Sequence, residues 1–366
     1  MWDFAMRIQS IDYLRGLMSL SIVLYHFSTT FTTWGLNDSS ELLGKLGIYA
    51  VSAFYIISGM ALYLAHKNDH WDRNEYFIFI ARRFFRLAPI YWLALLALTV
   101  FYFLYVPSFS IDNWKYAQNI LLIFGVTNPA EYLIMGGWSI GNEVVFYLFF
   151  PIIILMTRNR VSIFLLTLLS VLICVYCSAF YLDPNVSLGK QWLSYINPFN
   201  QIYFFAFGVV AAKYLLPYVA RYKRLYFLGV LASFATFYCF PVYGDQISIV
   251  TGINKIIFTT SIFLLCCMFF LIGDLTKTGL AHKILKFMGD VSYPLYLLHG
   301  VSFMYFRKIV VEQGMPDTVL VGYGLLLLLI LLMISWLCHI GIEKPIIKLS
   351  KRMVIRRTRN KEPLSN

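Results

Sequence analysis

The chain has 366 residues, of which 60% are hydrophobic and only 13% are charged. A soluble domain carries about 25% charged residues, so this composition excludes a water-soluble globular protein and predicts an integral membrane protein. The net charge of +12 is typical of the cytoplasmic loops of such a protein, so no nucleic-acid partner is expected.

Ten segments are long and apolar enough to cross a membrane as helices, so the predicted fold class is all-α. They cover residues 11–31, 43–65, 88–106, 137–156, 161–182, 201–219, 225–243, 253–273, 291–311 and 319–341. Residues 116–127 are too short to span, and we expect an interfacial or re-entrant piece there. We assign residues 1–345 to a polytopic membrane domain and residues 346–366 to a basic cytoplasmic tail.

The distribution of lysine and arginine predicts the orientation of these helices. With the N-terminus inside, 22 of the 30 lysine and arginine residues fall on the cytoplasmic side and 6 on the opposite side. Because cytoplasmic loops are enriched in these residues, we predict ten helices with both termini in the cytoplasm.

The first predicted span contains polar residues that an apolar helix does not need. Arg15 and His26 are 11 residues apart, so they share one helix face and lie about 16 Å from each other along its axis. Asp12 and Ser19 fall on the same face. Ionisable groups inside membrane helices are costly and usually face a partner or a cavity, so this face predicts a functional site. The alternative is a cluster that only packs helices together.

The stretch before the third span contains Arg82, Arg83 and Arg86. Arg83 and Arg86 are three positions apart, which places their guanidinium groups side by side on a helix. Each guanidinium can hold a phosphate by two hydrogen bonds, so the cluster suits a ligand with several phosphates. The alternative is anchoring at the membrane edge through lipid headgroups.

The fourth and ninth spans contribute further polar groups. Ser139, Glu143 and Tyr147 are spaced by four residues and form one stripe on an otherwise uncharged helix. A carboxylate there is protonated, paired with a cation or open to a water-filled cleft. His299 lies one helical turn from Tyr296 in the ninth span.

Together these groups can perform acyl transfer to an alcohol. A histidine can take a proton from a hydroxyl, a carboxylate can orient it, and cytoplasmic arginines can hold an anionic donor. No cysteine and histidine cluster has zinc-ligand spacing, so no metal is expected. A proton-coupled transporter or flippase that uses His26 and Glu143 is the alternative; such folds often contain inverted repeats, and no matching pair is found here.

The same motifs resemble those of the bacterial membrane acyltransferase family 3, which consists mainly of O-acetyltransferases that modify cell-surface polysaccharides. The resemblance spans about residues 8–346. It rests on Arg15 with His26, on Arg83-x-x-Arg86-Leu87-x-Pro89, on Trp138-Ser139 with Glu143 and Phe146-Tyr147, on Ser292-Tyr293 with Tyr296 and His299, and on Glu343-Lys344-Pro345. Each motif is weak alone, whereas five in the same order are specific.

The resemblance implies ten membrane helices, acetyl-CoA as the donor substrate and no bound cofactor. It also implies that His26 is essential with Arg15 alongside, and that Arg83 and Arg86 serve the donor. Within the last motif, we expect Glu343 to pair with a loop arginine and Pro345 to end the tenth helix.

We therefore predict an O-acetyltransferase of the bacterial inner membrane that uses cytoplasmic acetyl-CoA. Its acceptor is a hydroxyl of a lipid-linked or surface glycan, such as an O-antigen, lipopolysaccharide or exopolysaccharide sugar. His26 is the general base or a transient acyl carrier, and Glu143 orients it or balances its charge. The residues expected to bind donor or acceptor are Arg15, Arg82, Arg83, Arg86, Ser139, Tyr147 and His299. The same fold with another donor, such as succinyl-CoA, is a further alternative.

Overall fold

The computed structural model describes residues 8–275, 279–312 and 314–349. Every regular element in these ranges is helical, which confirms the all-α fold class. Ten principal helices lie where the ten spans were predicted: α1 Gln9–Phe31, α2 Leu42–His66, α3 Arg73–Tyr105, α4 Gly137–Met156, α5 Arg160–Ala179, α6 Ile202–Leu215, α7 Lys223–Cys239, α8 Gly252–Ile272, α9 Leu280–Ile309 and α10 Asp317–Cys338.

Seven of these helices, within the described ranges, are long and apolar enough to cross a membrane. They are α2 to α6, α8 and α10, with α6 taken together with its flanking turns. Of the other three, α7 has 17 residues, and α1 and α9 contain the polar residues discussed below. The chain is thus a multi-pass membrane protein, while ten spans and cytoplasmic termini stay predictions.

Helices α3 and α9 begin well before their predicted starts at residues 88 and 291, and local contacts explain the start of α3. The Asp72 carboxylate accepts a hydrogen bond from the Glu75 amide at 2.7 Å, and the Glu75 carboxylate accepts one from the Trp71 amide at 2.5 Å. An acidic residue followed three positions later by glutamate is a helix-start signature, and it sets the beginning of α3 at Arg73. The arginine cluster therefore lies inside α3 rather than before it, where helical geometry fixes its spacing.

The prediction that Pro345 ends the last helix is wrong. Residues 339–343 form one wide π-helical turn, in which the Lys344 amide donates to the His339 carbonyl. The helix then continues to Leu349. A proline cannot donate its own backbone hydrogen bond, and a widened turn is one way for a helix to pass such a residue. Residues 350–366, most of the predicted tail, lie outside the described residues.

Helices α1 and α9 run in the same direction and pack along their whole length. At one end, a Cβ on Gly16 would lie 2.6 Å from the backbone nitrogen of Gly289, so only glycine allows this approach. At the other end, the rings of Phe31 and Phe306 pack edge to face at 5.1 Å. Small residues commonly permit such close contact between membrane helices. The polar face of α1 is therefore covered by α9.

The segment between α3 and α4 does not span the membrane, as expected. It contains short helices at Asn113–Ile120 and Phe124–Thr127. The fully buried Asn119 amide donates to the carbonyls of Lys115 and Glu131, and its oxygen accepts from the Tyr91 hydroxyl of α3. These bonds fix the segment against the bundle next to the start of α4.

Two lysines on the predicted extracytoplasmic side are buried structural groups. The Lys45 ammonium donates to the carbonyls of Tyr238 and Phe240 at the end of α7, at 2.7 and 3.0 Å. Lys255 donates to the Cys177 carbonyl of α5 at 3.2 Å. Cations are favourable at helix C-termini, where carbonyls lack partners. These two lysines thus have a structural role. When they are set aside, fewer of the lysine and arginine residues remain on the predicted extracytoplasmic side.

Candidate active site

A cavity of ≈ 180 Å³ lies where α1, α2, α3, α4 and α9 meet. Its polar lining consists of Arg15, Tyr55, Ser58, Arg83, Arg86, Ser139, Glu143, Tyr147, Ser292, Tyr293 and Tyr296. Six of the nine site residues expected from the sequence are in this list. Side chains from four separate motifs thus meet at one site, although their roles in catalysis stay predictions.

Arg83 is the central cation of the cavity. Its guanidinium lies over the rings of Phe79 at 5.3 Å and Tyr147 at 5.9 Å, and it donates a hydrogen bond to His66 Nε2 at 3.1 Å. Its Nε atom is buried without a hydrogen-bond partner. Within the described ranges, no carboxylate lies within 4 Å of this guanidinium. A half-buried positive charge with a neutral hydrogen-bond partner is suited to an anionic ligand.

Two further arginines extend the positive lining. Arg86, one turn after Arg83, lies half-buried within electrostatic reach of both Glu143 and Glu343. Arg15 on α1 faces Asp12 at 3.4 Å and the Ser292 hydroxyl of α9 at 3.4 Å. The three guanidinium groups come from two helices, so they surround the cavity instead of lining one edge.

One carboxylate faces these cations. The Tyr147 hydroxyl donates to Glu143 at 2.6 Å, as the spacing of four residues within α4 allows. Glu143 is half-buried, and Arg83 and Arg86 are close enough to interact with it electrostatically. The cavity lining therefore contains three positive groups and one negative group.

The Ser139 end of the stripe is fixed by a tight turn. Gly136 has φ +77°, and its carbonyl accepts from the hydroxyls of Ser139 at 2.9 Å and Tyr296 at 3.0 Å. A Cβ on Gly136 would lie 2.8 Å from the Tyr296 oxygen, so both the backbone angle and the space require glycine. The turn thereby joins α4 to α9 at the cavity wall.

The two histidines stack against each other beyond Tyr296. The rings of His26 and His299 are 5.3 Å apart and inclined by 21°. The ring of Tyr296, which lines the cavity, is 5.9 Å from that of His299. Neither histidine belongs to the cavity lining, so the structure shows a cavity with an adjacent histidine pair, and the catalytic role of His26 stays a prediction.

The environments of these two rings differ. His299 is fully buried, and its Nδ1 lies 2.6 Å from the Tyr296 carbonyl. Because a carbonyl only accepts, the ring proton lies on Nδ1, and Nε2 is left buried without a partner. His26 is half-buried, with its ring between those of Tyr25 and His299. Of the two rings, only that of His26 belongs to a residue that is partly exposed.

Arg82 is the expected donor-binding residue that lies apart from the cavity. It precedes Arg83 on α3, and neighbouring helix positions point about 100° apart. Its Nε is buried without a hydrogen-bond partner, and Arg82 is not among the residues that line the cavity. The cavity thus brings together Arg83, Arg86 and Arg15, while the donor-binding role expected of Arg82 stays a prediction.

Glu343 pairs differently from the expectation. Its carboxylate lies 2.7 Å from His339 Nδ1 within the π-helical turn, not against a loop arginine. It is buried and close enough to Arg86 for electrostatic interaction. The wide turn therefore directs the last motif toward the arginines of α3.

His66 is a functional candidate that the sequence reasoning missed. It lies at the end of α2 and contacts both Arg83 and Asp69. The available signal was a histidine in the last turn of an apolar helix, with an aspartate three positions later.

Within the described residues no group of histidine, cysteine and carboxylate side chains has the arrangement of a metal site.

The chain matches a family model described as an acyltransferase domain over residues 8–340. It is 24% identical over 376 aligned residues to acyltransferase MdmB of Streptomyces mycarofaciens, which covers 94% of this chain and 93% of that protein.

Two further relatives are named O-acetyltransferases. The chain is 21% identical to O-acetyltransferase OatA of Staphylococcus aureus strain NCTC 8325, over 84% of this chain and 53% of that protein. It is 25% identical to peptidoglycan O-acetyltransferase OatA of Listeria monocytogenes, over 40% of this chain and 24% of that protein. The match thus spans about half the length of the Staphylococcus aureus protein and about a quarter of the length of the Listeria monocytogenes protein. No solved structure matches it.

Proposed function

We propose a reaction for this chain, which belongs to the acyltransferase domain family and is a multi-pass membrane acyltransferase. In this proposal it transfers an acetyl group from acetyl-CoA to a hydroxyl of a bacterial surface polysaccharide. The reaction takes place in the inner membrane, with the donor entering from the cytoplasm and the acceptor reaching the opposite side of the bundle.

The observation that supports the donor proposal is that the Arg83 guanidinium has no carboxylate within 4 Å in the described residues and donates to His66 instead. A half-buried guanidinium that donates to a neutral imidazole retains hydrogen-bond donors and its positive charge for a ligand. Coenzyme A carries a diphosphate and a ribose phosphate, which are the anions that arginine binds best. Arg86 and Arg15 supply two further guanidinium groups to the same cavity.

His26 provides the chemistry in this proposal. The pantetheine arm extends from the cavity past Tyr296, so that the thioester lies beside the half-buried ring of His26. His26 takes the proton of the acceptor hydroxyl while the hydroxyl oxygen bonds to the thioester carbonyl carbon. The carbon–sulfur bond then breaks, the ester is released, and the proton passes from His26 to the coenzyme A thiolate.

Glu143 has an electrostatic role on the donor side. It faces Arg83 and Arg86 across the cavity and accepts from Tyr147. Its charge holds the two guanidinium groups when the donor is absent and limits their mutual repulsion. In this proposal Glu143 acts on the arginine residues that bind the donor, whereas His26, which lies beyond Tyr296, acts on the acceptor hydroxyl.

The acceptor proposal is supported by the relatives. Two of them are named O-acetyltransferases, and one name specifies peptidoglycan, a glycan outside the cytoplasmic membrane. A hydroxyl on an extracytoplasmic sugar fits the position of His26 near the end of α1, since α1 begins on the predicted cytoplasmic side.

The donor site is tested with purified protein in lipid nanodiscs, by following coenzyme A release. Arg83→Lys keeps the charge but loses the planar fork, and hydrogen bonds to charged groups contribute about 1.5–3 kcal/mol. We expect the KM for acetyl-CoA to rise about 10- to 100-fold. Arg73→Lys, at an exposed position of the same helix, is the matched control and should match wild type. An unchanged KM in both Arg83→Ala and Arg86→Ala would place the donor elsewhere.

The acceptor is tested by analysing surface polysaccharide from cells with and without the gene. We expect an acetyl ester on one sugar hydroxyl, present only with the gene. A succinyl ester would replace acetyl-CoA as donor, and an unmodified polysaccharide with altered export would favour a transporter instead. Release of one equivalent of coenzyme A before any acceptor is added would show an acyl-histidine intermediate and overturn the general-base step.

A further inference from the structure

His66 connects the loop after α2 to the cavity. Its Nδ1 lies 2.6 Å from the Asp69 carboxylate, and its Nε2 lies 3.1 Å from a terminal nitrogen of Arg83. The side chain is buried, with 7% of its surface exposed. Its ring is enclosed by the aromatic rings of Trp71, Phe79 and Phe150, at 5.7, 5.1 and 5.9 Å.

These two contacts determine where the imidazole proton lies. A guanidinium only donates hydrogen bonds, so His66 Nε2 must accept from Arg83 with its lone pair. The proton of the neutral ring is therefore on Nδ1, and it is donated to the Asp69 carboxylate. Asp69 thus selects the one tautomer that can accept from Arg83.

The Asp69 side of this arrangement is itself held in place. Arg158, in the turn between α4 and α5, donates to the backbone carbonyl of Asp69. The loop carrying Asp69 is therefore attached to α4, the helix that also carries Glu143 and Tyr147. The carboxylate, the imidazole and the guanidinium form one row that leads from this loop into the cavity.

We propose that His66, held in this tautomer by Asp69, is a positioning residue that directs the Arg83 guanidinium toward the anionic part of the acyl-CoA donor. This inference rests on the proposed donor site and adds the residues that orient it. His66 touches no reacting atom, so its effect is on donor binding and not on the chemical step.

A neutral partner suits this task better than a carboxylate. A carboxylate in place of His66 would orient Arg83 equally well but would neutralise its charge and compete with the incoming phosphate. The imidazole fixes the direction of one N–H bond and leaves the charge of Arg83 available. The aromatic enclosure excludes water, so the imidazole retains Arg83 as its partner.

The decisive measurement separates KM for acetyl-CoA from kcat in nanodiscs. His66→Phe fills the aromatic enclosure but cannot accept from Arg83, so KM should rise about 10-fold or more while kcat changes less than about threefold. His66→Gln can accept from Arg83 and donate to Asp69, so it should restore KM to within about threefold of wild type. His70→Gln, an exposed histidine in the same loop, is the matched control and should leave KM unchanged.

Asp69→Ala tests the same proposal without altering the enclosure. It frees the imidazole to take the other tautomer, which presents N–H to N–H at Arg83, so KM should again rise. If His66→Phe does not fold, as judged by its melting temperature and elution profile, Asp69→Ala alone decides. An unchanged KM in folded Asp69→Ala would overturn the proposal.

A double variant shows whether His66 acts through Arg83. In an Arg83→Ala background, adding His66→Phe should raise KM no further, because the group that it positions is already gone. Equal effects of His66→Phe with and without Arg83 would overturn the proposal. If Arg83→Ala alone leaves KM unchanged, the proposed donor site is wrong. If Arg83→Ala raises KM but neither His66→Phe nor Asp69→Ala does, the donor site stands and only the positioning role is wrong.

Discussion

In the proposed reaction, single residues have different roles, and the arginine residues of the donor site face one carboxylate. Glu143 faces Arg83 and Arg86 and accepts from Tyr147. Glu143→Gln keeps the size of the side chain but removes its charge. Because hydrogen bonds to charged groups contribute about 1.5–3 kcal/mol, we expect kcat/KM to fall about 10- to 100-fold.

The variant must remain folded for this result to be informative, so its melting temperature is measured beside its rate of coenzyme A release. A folded Glu143→Gln enzyme with full activity would assign Glu143 to packing alone.

His26 is expected to dominate the chemical step. General acid–base assistance contributes about 10²–10⁴-fold, so His26→Ala should lose at least two orders of magnitude in rate. His26→Gln, which can hydrogen-bond but cannot accept a proton, should be nearly as poor. His299→Ala should lose less, because His299 is fully buried and its ring stacks on that of His26.

The comparison is made at matched expression by the acetyl ester content of the polysaccharide. Wild-type acetylation in His26→Ala, with loss only in His299→Ala, would move the catalytic role to α9.

At the scale of helices, the site depends on the close pairing of α1 with α9. Gly16 leaves no room for a side chain, since a Cβ there would meet backbone atoms of Met288 and Gly289 within 2.6 Å. Gly16→Val should therefore separate the two helices, lower the melting temperature and reduce activity. Overpacking of this kind typically costs about 1–3 kcal/mol.

Gly322 in α10 provides the matched control for this substitution. A Cβ on Gly322 would have no atom within 4 Å, and alanine is more favourable than glycine in a helix. Gly322→Ala should therefore melt at or above the wild-type temperature. If Gly16→Val melts like wild type and keeps its activity, the two helices are not held at this glycine contact.

The residue at which a helix begins also determines whether a motif has fixed helical geometry. The Asp72 and Glu75 contacts begin α3 before the arginine cluster, so Arg83 and Arg86 hold a fixed helical spacing. A cluster on a flexible loop would have to be ordered by its ligand, at a cost of about 0.5–1.5 kcal/mol for each immobilised side chain.

At the scale of the whole molecule, the proposed reaction assigns donor and acceptor to different sides of the bundle. The arginine cavity lies toward the predicted cytoplasmic ends of α1 and α3, and the histidine pair lies further along α1 and α9. In this proposal donor and acceptor approach from opposite sides and meet at His26.

The predicted orientation is tested with reporter fusions at two turns. Arg158 lies between α4 and α5, and Asn185 lies between α5 and α6. The charge distribution places Arg158 in the cytoplasm and Asn185 outside, so a periplasm-active reporter should respond only at Asn185. Equal signals at both positions would contradict the ten-helix topology.

The sequence by itself determined the membrane class, the approximate places of the ten principal helices and the motifs of the family, although it placed the starts of α3 and α9 too late. These features depend on hydrophobic length and on helical periodicity, which are local properties of the chain. It also contained the reason that Arg82 differs from Arg83, because adjacent helix positions face different directions.

The tertiary structure alone decided which motifs meet. The contact of Arg83 with His66 and the stacking of His26 on His299 join residues from different helices. The turn at His339–Glu343 likewise directs Glu343 toward α3, although local rules predicted a helix end at Pro345. Such contacts follow from how helices pack against one another, which glycine positions such as Gly16 permit but which no single helix encodes.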